Sequence, residues 1–421
     1  MMERILTIDD VQLDGRTVLV RVDINSPLDP ESKIFLDYTR MKMILPTLNK
    51  LAKAKVVILA HQSRPGKKDF ISTHAHAREL QGMIGRPVKW VNDIHGSIAL
   101  KAIEQMKDGD ILLLNNVRMD SDEINLRGNF DTLSDSTLVQ RLAGVADAFV
   151  YDAFACAHRA TPSTTGFTYL LPCISGELMK SEINILEGII NDPNRPCIAV
   201  LGGIKVDDSV GVADNMLRTG VCNEIWVTGG VANLFLEISG VEIGQLNHNF
   251  LVNELGKAWT STVATAKSLL RDFPDNIILP IDIAANIESS RVDLRIEDLP
   301  LEAPLFDIGI NSIRALSKAI KEAGTIILNG PAGVFEIQDF ALGTVEMLNA
   351  CAESSGFTVI GGGHTATLVK SMNIAKRMNH VSTGGGACLE LLAGKTLPAL
   401  AGLEASAKRF EMSIQEPIGN R

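Results

Sequence analysis

The chain has no Cys-x-x-Cys pair; its six cysteines stand apart at positions 156, 173, 197, 222, 351 and 388. That scatter argues against a zinc site and a disulfide scaffold and fits a reducing, cytoplasmic setting. No stretch approaches the ~18 consecutive apolar residues that a membrane span needs. The opening MMERILTIDD has no apolar core of the signal-peptide kind. Positive charge is in deficit, with 40 Lys and Arg against 50 Asp and Glu and a net charge of −10. Neither nucleic acid nor a membrane is therefore an expected partner, although a local basic pocket remains open to it. There is no short-period repeat and no low-complexity segment.

What the chain does have is length and apolar content. Its 421 residues, 46% hydrophobic and 21% charged, exceed one ordinary core and exclude wholesale disorder. Short runs rich in β-branched residues recur along it. In the first half they are Thr17–Val22, Val56–Ala60, Ile111–Leu114 and Ala148–Tyr151. In the second they are Cys197–Leu201, Ile225–Thr228, Ile277–Leu279, Ile326–Leu328, Thr358–Ile360 and His380–Ser382. Helical patterns lie between them, so the runs read as buried parallel strands of βαβ units, an α/β fold. Between the halves, Ser175–Ile190 has apolar residues at helical spacing, and the loop NDPNRP follows. This divides the chain into a first domain (1–174), a linking helix (175–192), a second domain (193–403) and a tail (404–421).

In open parallel sheets, ligands sit beyond the carboxyl ends of the strands. In the first half those positions hold Asp23 and Asn25, His61 and Arg64, Arg118, and His158 and Arg159; Arg40 opens the first helix. An isolated arginine is usually a solvated surface residue. Arginines recurring after successive strands instead predict a pocket for a small, multiply charged anion, since each guanidinium is a planar fork suited to phosphate or carboxylate. In the second half the strands run into glycines: Gly202–Gly203, Gly229–Gly230, Gly330, Gly361–Gly363 and Gly384–Gly386. One such pair is as readily a turn. Five on one sheet edge predict a nucleotide site, because glycine lets backbone approach a ligand and helix N-termini attract phosphate. Two phosphate-binding signatures fail. Gly394-Lys395-Thr396 lacks the first glycine of a P-loop, and the loose dinucleotide fingerprint at Gly361–Ala366 has no acidic residue about 20 positions on. A dinucleotide dehydrogenase is thus a weak alternative.

The stretches VLVRVDINSPL, AHQSRP, LLLNNVR, DAFACAHRA, AVLGGIKV, LNGPAGVFE, VIGGG and STGGGACLELLAGKTLPAL resemble, in order and over essentially the whole chain, the phosphoglycerate kinase family. GGIKVDDS, TGGVANLFL and GGGHTA resemble its archaeal branch. The resemblance implies two Rossmann-like domains with parallel sheets joined by a hinge helix. The first domain would bind 3-phosphoglycerate and the second the nucleotide, with the tail packed back on the first. It implies an enzyme for the glycolytic and gluconeogenic transfer between ATP and the carboxylate of 3-phosphoglycerate, giving 1,3-bisphosphoglycerate and ADP. Magnesium would travel with the nucleotide, and the enzyme would be a cytoplasmic monomer or homodimer.

By motif match, Asp23, Asn25, Arg40, His61, Arg64, Arg118 and Arg159 would contact phosphoglycerate. Gly203, Lys205, Asn329, Glu336, Gly361, Gly362, Gly363, His364 and Thr365 would contact the nucleotide. Arg40, Lys205, Gly362 and Gly385 would stabilise the moving phosphoryl group, and domain closure about the linking helix would align the partners. Two positions depart from the commoner pattern. Ser209 stands where many members have lysine, and His364 where many have a magnesium-binding aspartate. Imidazole suits a hard cation poorly, so the protein's metal ligands are left unassigned; Asp207 or Asp208 could contribute, or simply favour a helix N-terminus. These departures also motivate the alternative of a weak catalytic relative acting as a nucleotide or phosphoglycerate sensor. Trp90, Trp226 and Trp259 read as packing residues, Cys156 as a small buried residue, and His74 and His76 as solvated.

Overall fold

The computed structural model describes residues 4–29 and 31–410. They form two compact units. The first gathers residues through Ile183 and those from Thr396 onward; the second is Asn184–Lys395. The division falls inside helix Glu177–Asn191.

The first unit holds a six-stranded parallel sheet. Its strands are β1 (Thr17–Val22), β2 (Lys55–Leu59), β3 (Val88–Trp90), β4 (Ile111–Leu113), β5 (Ala148–Asp152) and β6 (Cys173–Ser175), in the order β3-β4-β2-β1-β5-β6. Every residue of β1 and β5 is buried. Helices on both faces explain why these strands read as continuous apolar runs. Leu48, Leu51, Val56 and Ile58 belong to one core with Val18, Val20 and Val150, and Ala407 of helix Pro398–Phe410 joins them. Ser406 in the same helix accepts from the backbone N–H of Cys173 at 2.8 Å, at the β6 edge. Residues 404–410 of the expected tail thus belong to this helix, and 411–421 lie outside the described residues.

The second unit repeats the plan. Strands β7 (Cys197–Leu201), β8 (Glu224–Val227), β9 (Ile277–Ile278), β13 (Thr325–Asn329), β14 (Phe357–Gly361) and β15 (His380–Val381) form a parallel sheet in the order β15-β14-β13-β7-β8-β9. Three further strands, β10 (Asp282–Ile287), β11 (Ser290–Arg295) and β12 (Leu305–Ile308), form a small antiparallel sheet that the sequence reading lacks. In each parallel sheet the first strand in sequence is central, β1 between β2 and β5, β7 between β13 and β8. Connections diverge there, and open α/β sheets place ligands at such points.

Three sequence expectations shift. Ser175 ends β6, and the linking helix starts at Glu177. Strands β3 and β6 appear where no strand was expected. His76 is fully buried, with its Nε2 3.0 Å from Gln62 Oε1 and its ring against Phe35, while His74 is exposed. Helix His74–Ile84 turns alternate residues differently, so two histidines in one polar stretch meet different surroundings. Among the described residues no helix is long and apolar enough to cross a membrane.

Candidate active site

Arginine 21 lies within β1, where an all-buried apolar strand holds one guanidinium. It donates through Nε to Ser163 Oγ at 3.0 Å and through Nη2 to His61 Nδ1 at 3.2 Å. Two residues on, the buried Asp23 accepts from Asn25 N at 3.0 Å and forms an ion pair with Arg40, in helix Thr39–Met43. Asn25 Oδ1 accepts from Ser63 N at 2.8 Å, and Arg118 Nη1 donates to Ser63 O at 2.5 Å. The segments after β1, β2 and β4 are therefore tied together.

They bound a cavity of about 400 Å³. Arg21, Arg64, Arg118, Arg127 and Arg159 line it, with Glu123 as the one carboxylate. Of the residues expected at an anion site, Asn25, Arg64, Arg118 and Arg159 line this cavity. Asp23, Arg40 and His61 do not: the first two pair with each other, and His61 takes its hydrogen bond from Arg21. Burial, together with the charges of Arg21, Arg118, Arg159 and Arg40, holds the His61 imidazole well below its ordinary range, so it is neutral near pH 7. Burial and the neighbouring Arg159 also lower the proton affinity of Arg118. So concentrated a set of cations with one carboxylate is short of negative charge, which an anion would supply. Burial pushes the Cys156 thiol up, which suits a packing residue rather than a nucleophile. Arg21, Glu123 and Arg127 were missed from sequence. A charged residue inside TVLVRV was the one available signal.

A second cavity, of about 610 Å³, opens at the carboxyl edge of the other parallel sheet. Gly203, Lys205, Asn329, Glu336, Gly362, Gly363, His364, Thr365 and Gly385 all line it, whereas Gly361 closes β14 and is buried. Helices Val206–Arg218, Gly229–Ile238 and Gly363–Ser371 begin beside these residues, and helix N-termini favour phosphate. Gly202 must be glycine: a Cβ there would lie 2.3 Å from Thr228 Oγ1 and 2.4 Å from the carbonyl of Pro331. Two polar atoms of lining residues, Asn329 Oδ1 and Thr365 Oγ1, are buried without a hydrogen-bond partner. Buried polar atoms cost free energy when unpaired, so these mark a place for a ligand. Much of the remaining wall is apolar, with Leu246, Phe250, Leu305, Phe306, Val334 and Phe335 beside the polar Asn233 and Asn247. The small antiparallel sheet supplies Leu305 and Phe306. A polar floor of glycine turns under an apolar wall suits a ligand with phosphates at one end and a flat ring at the other.

A model of the family described as phosphoglycerate kinase matches residues 8–395. This chain belongs to the phosphoglycerate kinase family. It is 44% identical over 402 residues to the phosphoglycerate kinase of Methanothermobacter thermautotrophicus, covering 95% of this chain and 97% of that one. The phosphoglycerate kinase of Methanothermus fervidus is 43% identical over 415 residues, with coverages of 98% and 100%. Among solved structures, the crystal structure of phosphoglycerate kinase from Pyrococcus horikoshii is similar with a TM-score of 0.87 and 35% identity. That match covers 96% of this chain and all of the other. The two departures from the commoner family pattern have different fates. Ser209 is fully buried in its helix and does not line the nucleotide-type cavity. His364 is exposed and lines it, its ring centroid 5.8 Å from that of Phe335. Asp207 and Asp208 occupy the first turn of helix Val206–Arg218 and are not among the lining residues. Among the described residues no group of three or more His, Cys, Asp or Glu side chains could hold a metal ion.

Proposed function

We infer that this chain catalyses reversible phosphoryl transfer between ATP and the carboxylate of 3-phosphoglycerate, giving ADP and 1,3-bisphosphoglycerate. Family membership supports the reaction, and the observation that carries its assignment to sites is the cavity with five guanidinium groups and one carboxylate. Phosphoglycerate binds there, with Asn25, Arg64, Arg118 and Arg159 in contact and Asp23, Arg40 and His61 adjoining. The nucleotide binds in the glycine-lined cavity, its phosphates over Gly203, Lys205 and Gly362–Thr365, with Asn329, Gly361 and Glu336 completing the site.

The acceptor carboxylate is ionised at neutral pH, so no general base is required. Its oxygen attacks the γ-phosphorus, the bond from that phosphorus to the β–γ bridging oxygen breaks, and ADP leaves; no proton is exchanged. Catalysis then consists of alignment and charge stabilisation. Arg40 and Lys205 stabilise the transferring group, aided by backbone N–H groups at Gly362 and Gly385. Donor and acceptor are held by separate units, so transfer requires a hinge motion. We assign it to helix Glu177–Asn191, in which the chain passes from one unit to the other. Among the described residues no group of three or more His, Cys, Asp or Glu side chains could hold Mg²⁺, and the cation would be carried on the nucleotide phosphates. Six buried cysteines, none in a Cys-x-x-Cys pair, fit a cytoplasmic setting.

An assay coupling ATP consumption to added 3-phosphoglycerate tests this reading. Turnover that depends on both substrates is expected. Binding of both without turnover would replace the enzyme by a sensor, an alternative that the relatives' common name does not favour.

A further inference from the structure

Glu123 is a buried carboxylate in a cavity built for an anion, where a negative charge works against binding. Its oxygens are engaged by protein donors. Oε1 accepts from Thr161 Oγ1 at 2.9 Å and from Ser163 Oγ at 2.8 Å, and Oε2 accepts from Ser163 N at 2.8 Å. The Ser163 hydroxyl has one proton. Donating it to Glu123 leaves only lone pairs for Arg21 Nε, 3.0 Å away. Arginine donates and never accepts, so His61 Nδ1, 3.2 Å from Arg21 Nη2, must be the acceptor. The other neighbour of that nitrogen, Cys156 Sγ at 4.0 Å, also has a proton to offer. A neutral imidazole that accepts at Nδ1 holds its proton at Nε2. Nε2 has no protein partner among the described residues.

We propose that Glu123, acting through Ser163 and Arg21, is a positioning residue that fixes His61 as the Nε2–H tautomer and leaves a neutral N–H donor adjoining the phosphoglycerate cavity. The proposal deepens the substrate-site reading above and rests on it for the identity of the ligand. The relay has a direction at every link. The carboxylate orders the hydroxyl, the hydroxyl holds the guanidinium by its inner nitrogen, and the guanidinium sets the imidazole. It also gives Arg21 a compensating charge one hydroxyl away, where its direct partners are the neutral Ser163, Val22 O and His61. This accounts for a carboxylate among arginines: its charge supports the cations from behind.

The test uses the full, ligand-free chain labelled with ¹⁵N-histidine, with the His61→Asn variant to assign the ring. Long-range proton–nitrogen correlation near pH 7 is expected to give a bare Nδ1 and a protonated Nε2. A proton on Nδ1 overturns the relay. In Glu123→Gln and Ser163→Ala, the His61 ring signals should shift or become a tautomer mixture. KM for 3-phosphoglycerate should rise about tenfold, as for loss of one charge-assisted hydrogen bond, while KM for ADP in the reverse reaction stays fixed. Folded variants with unchanged ring signals and unchanged KM overturn the role of Glu123. Should a variant fail to fold, the wild-type spectrum still decides the tautomer. Absence of turnover in the wild type would count against the substrate reading, and the spectrum would decide the relay separately.

Discussion

Asn25 and Ser63 are joined by a hydrogen bond of 2.8 Å from the Ser63 backbone N–H to the Asn25 side-chain oxygen. Ser63 has a φ of 57°, a conformation that non-glycine residues adopt at a cost and keep only when held. Asn25 holds it from one side and Arg118 from the other. Asn25→Ala should release that segment and raise KM for 3-phosphoglycerate by about tenfold. Asn25→Asp keeps the acceptor but turns a negative charge on the cavity, so its KM should rise further. Steady-state kinetics of the two variants checks this ordering; a better KM for the aspartate variant would refute it.

Arg118→Ala should weaken 3-phosphoglycerate binding by roughly 10- to 100-fold, the worth of a hydrogen bond to a charged group. ADP affinity should stay within error, because the nucleotide cavity is lined by the second unit alone. Calorimetric titration of each ligand into the folded variant reads both numbers. A large loss of ADP affinity would contradict the assignment of the two cavities.

Two glycines of the nucleotide cavity should respond oppositely to the same substitution. Gly202→Ala forces a methyl into backbone and side-chain oxygen, so the variant should lose stability by about 1–3 kcal/mol or more. Gly363→Ala meets nothing within 4 Å and has no positive φ. It should melt like the parent yet bind ADP less well, because its methyl enters space that the ligand needs. Thermal unfolding set beside ADP titration separates the two effects, and a weakly stable Gly363→Ala would disprove the second.

His364 should hydrogen-bond the polyphosphate, directly or through water, rather than coordinate magnesium. His364→Gln, which can still donate, should retain most activity. His364→Ala should weaken Mg-nucleotide binding by about tenfold. His364→Asp offers magnesium an oxygen ligand, so that variant should show a lower magnesium requirement. A nucleotide-bound crystal structure with a His364 nitrogen on the metal would end the proposal.

Stability should depend on pH through two buried groups of opposite sign. Burial pushes the Asp152 carboxyl up to about 7. Between its unfolded pKa near 4 and that value, the folded chain keeps a proton that the unfolded chain has lost. Stability from this group is therefore full at low pH and lost as pH rises through the window, by at most about 4 kcal/mol. Burial pushes His76 down to about 4, so its contribution is full above ~6.5 and lost as pH falls. Both windows lie between about pH 4 and 7 and their slopes oppose, so Asp152→Asn should make stability rise more steeply with pH there and His76→Gln should make it fall. Urea unfolding at several pH values measures both slopes.

Both parallel sheets were readable from sequence because double-sided burial makes their central strands nearly continuous apolar runs, as in TVLVRV and CIAVL. The edges were not. Strand β3 is three residues long with an exposed Lys89, and β11 reads SRVDLR with no residue buried, so neither has an apolar run to detect. Missing that antiparallel sheet hid Leu305 and Phe306, and with them part of the apolar wall. The arginines after the strands were legible because a sheet's topology fixes which end they share. Glu123 was not, since its meaning depends on Ser163, 40 residues away, which only the folded chain brings to it.

Helix Pro398–Phe410 gives the chain an order of assembly. It belongs to the first unit, yet a ribosome makes it after the whole of Asn184–Lys395. Until then the β6 edge lacks Ser406, and the core lacks Ala407. During synthesis the second unit is therefore complete before the first. The nascent first unit must wait, with an apolar seam uncovered, for the last described helix to arrive.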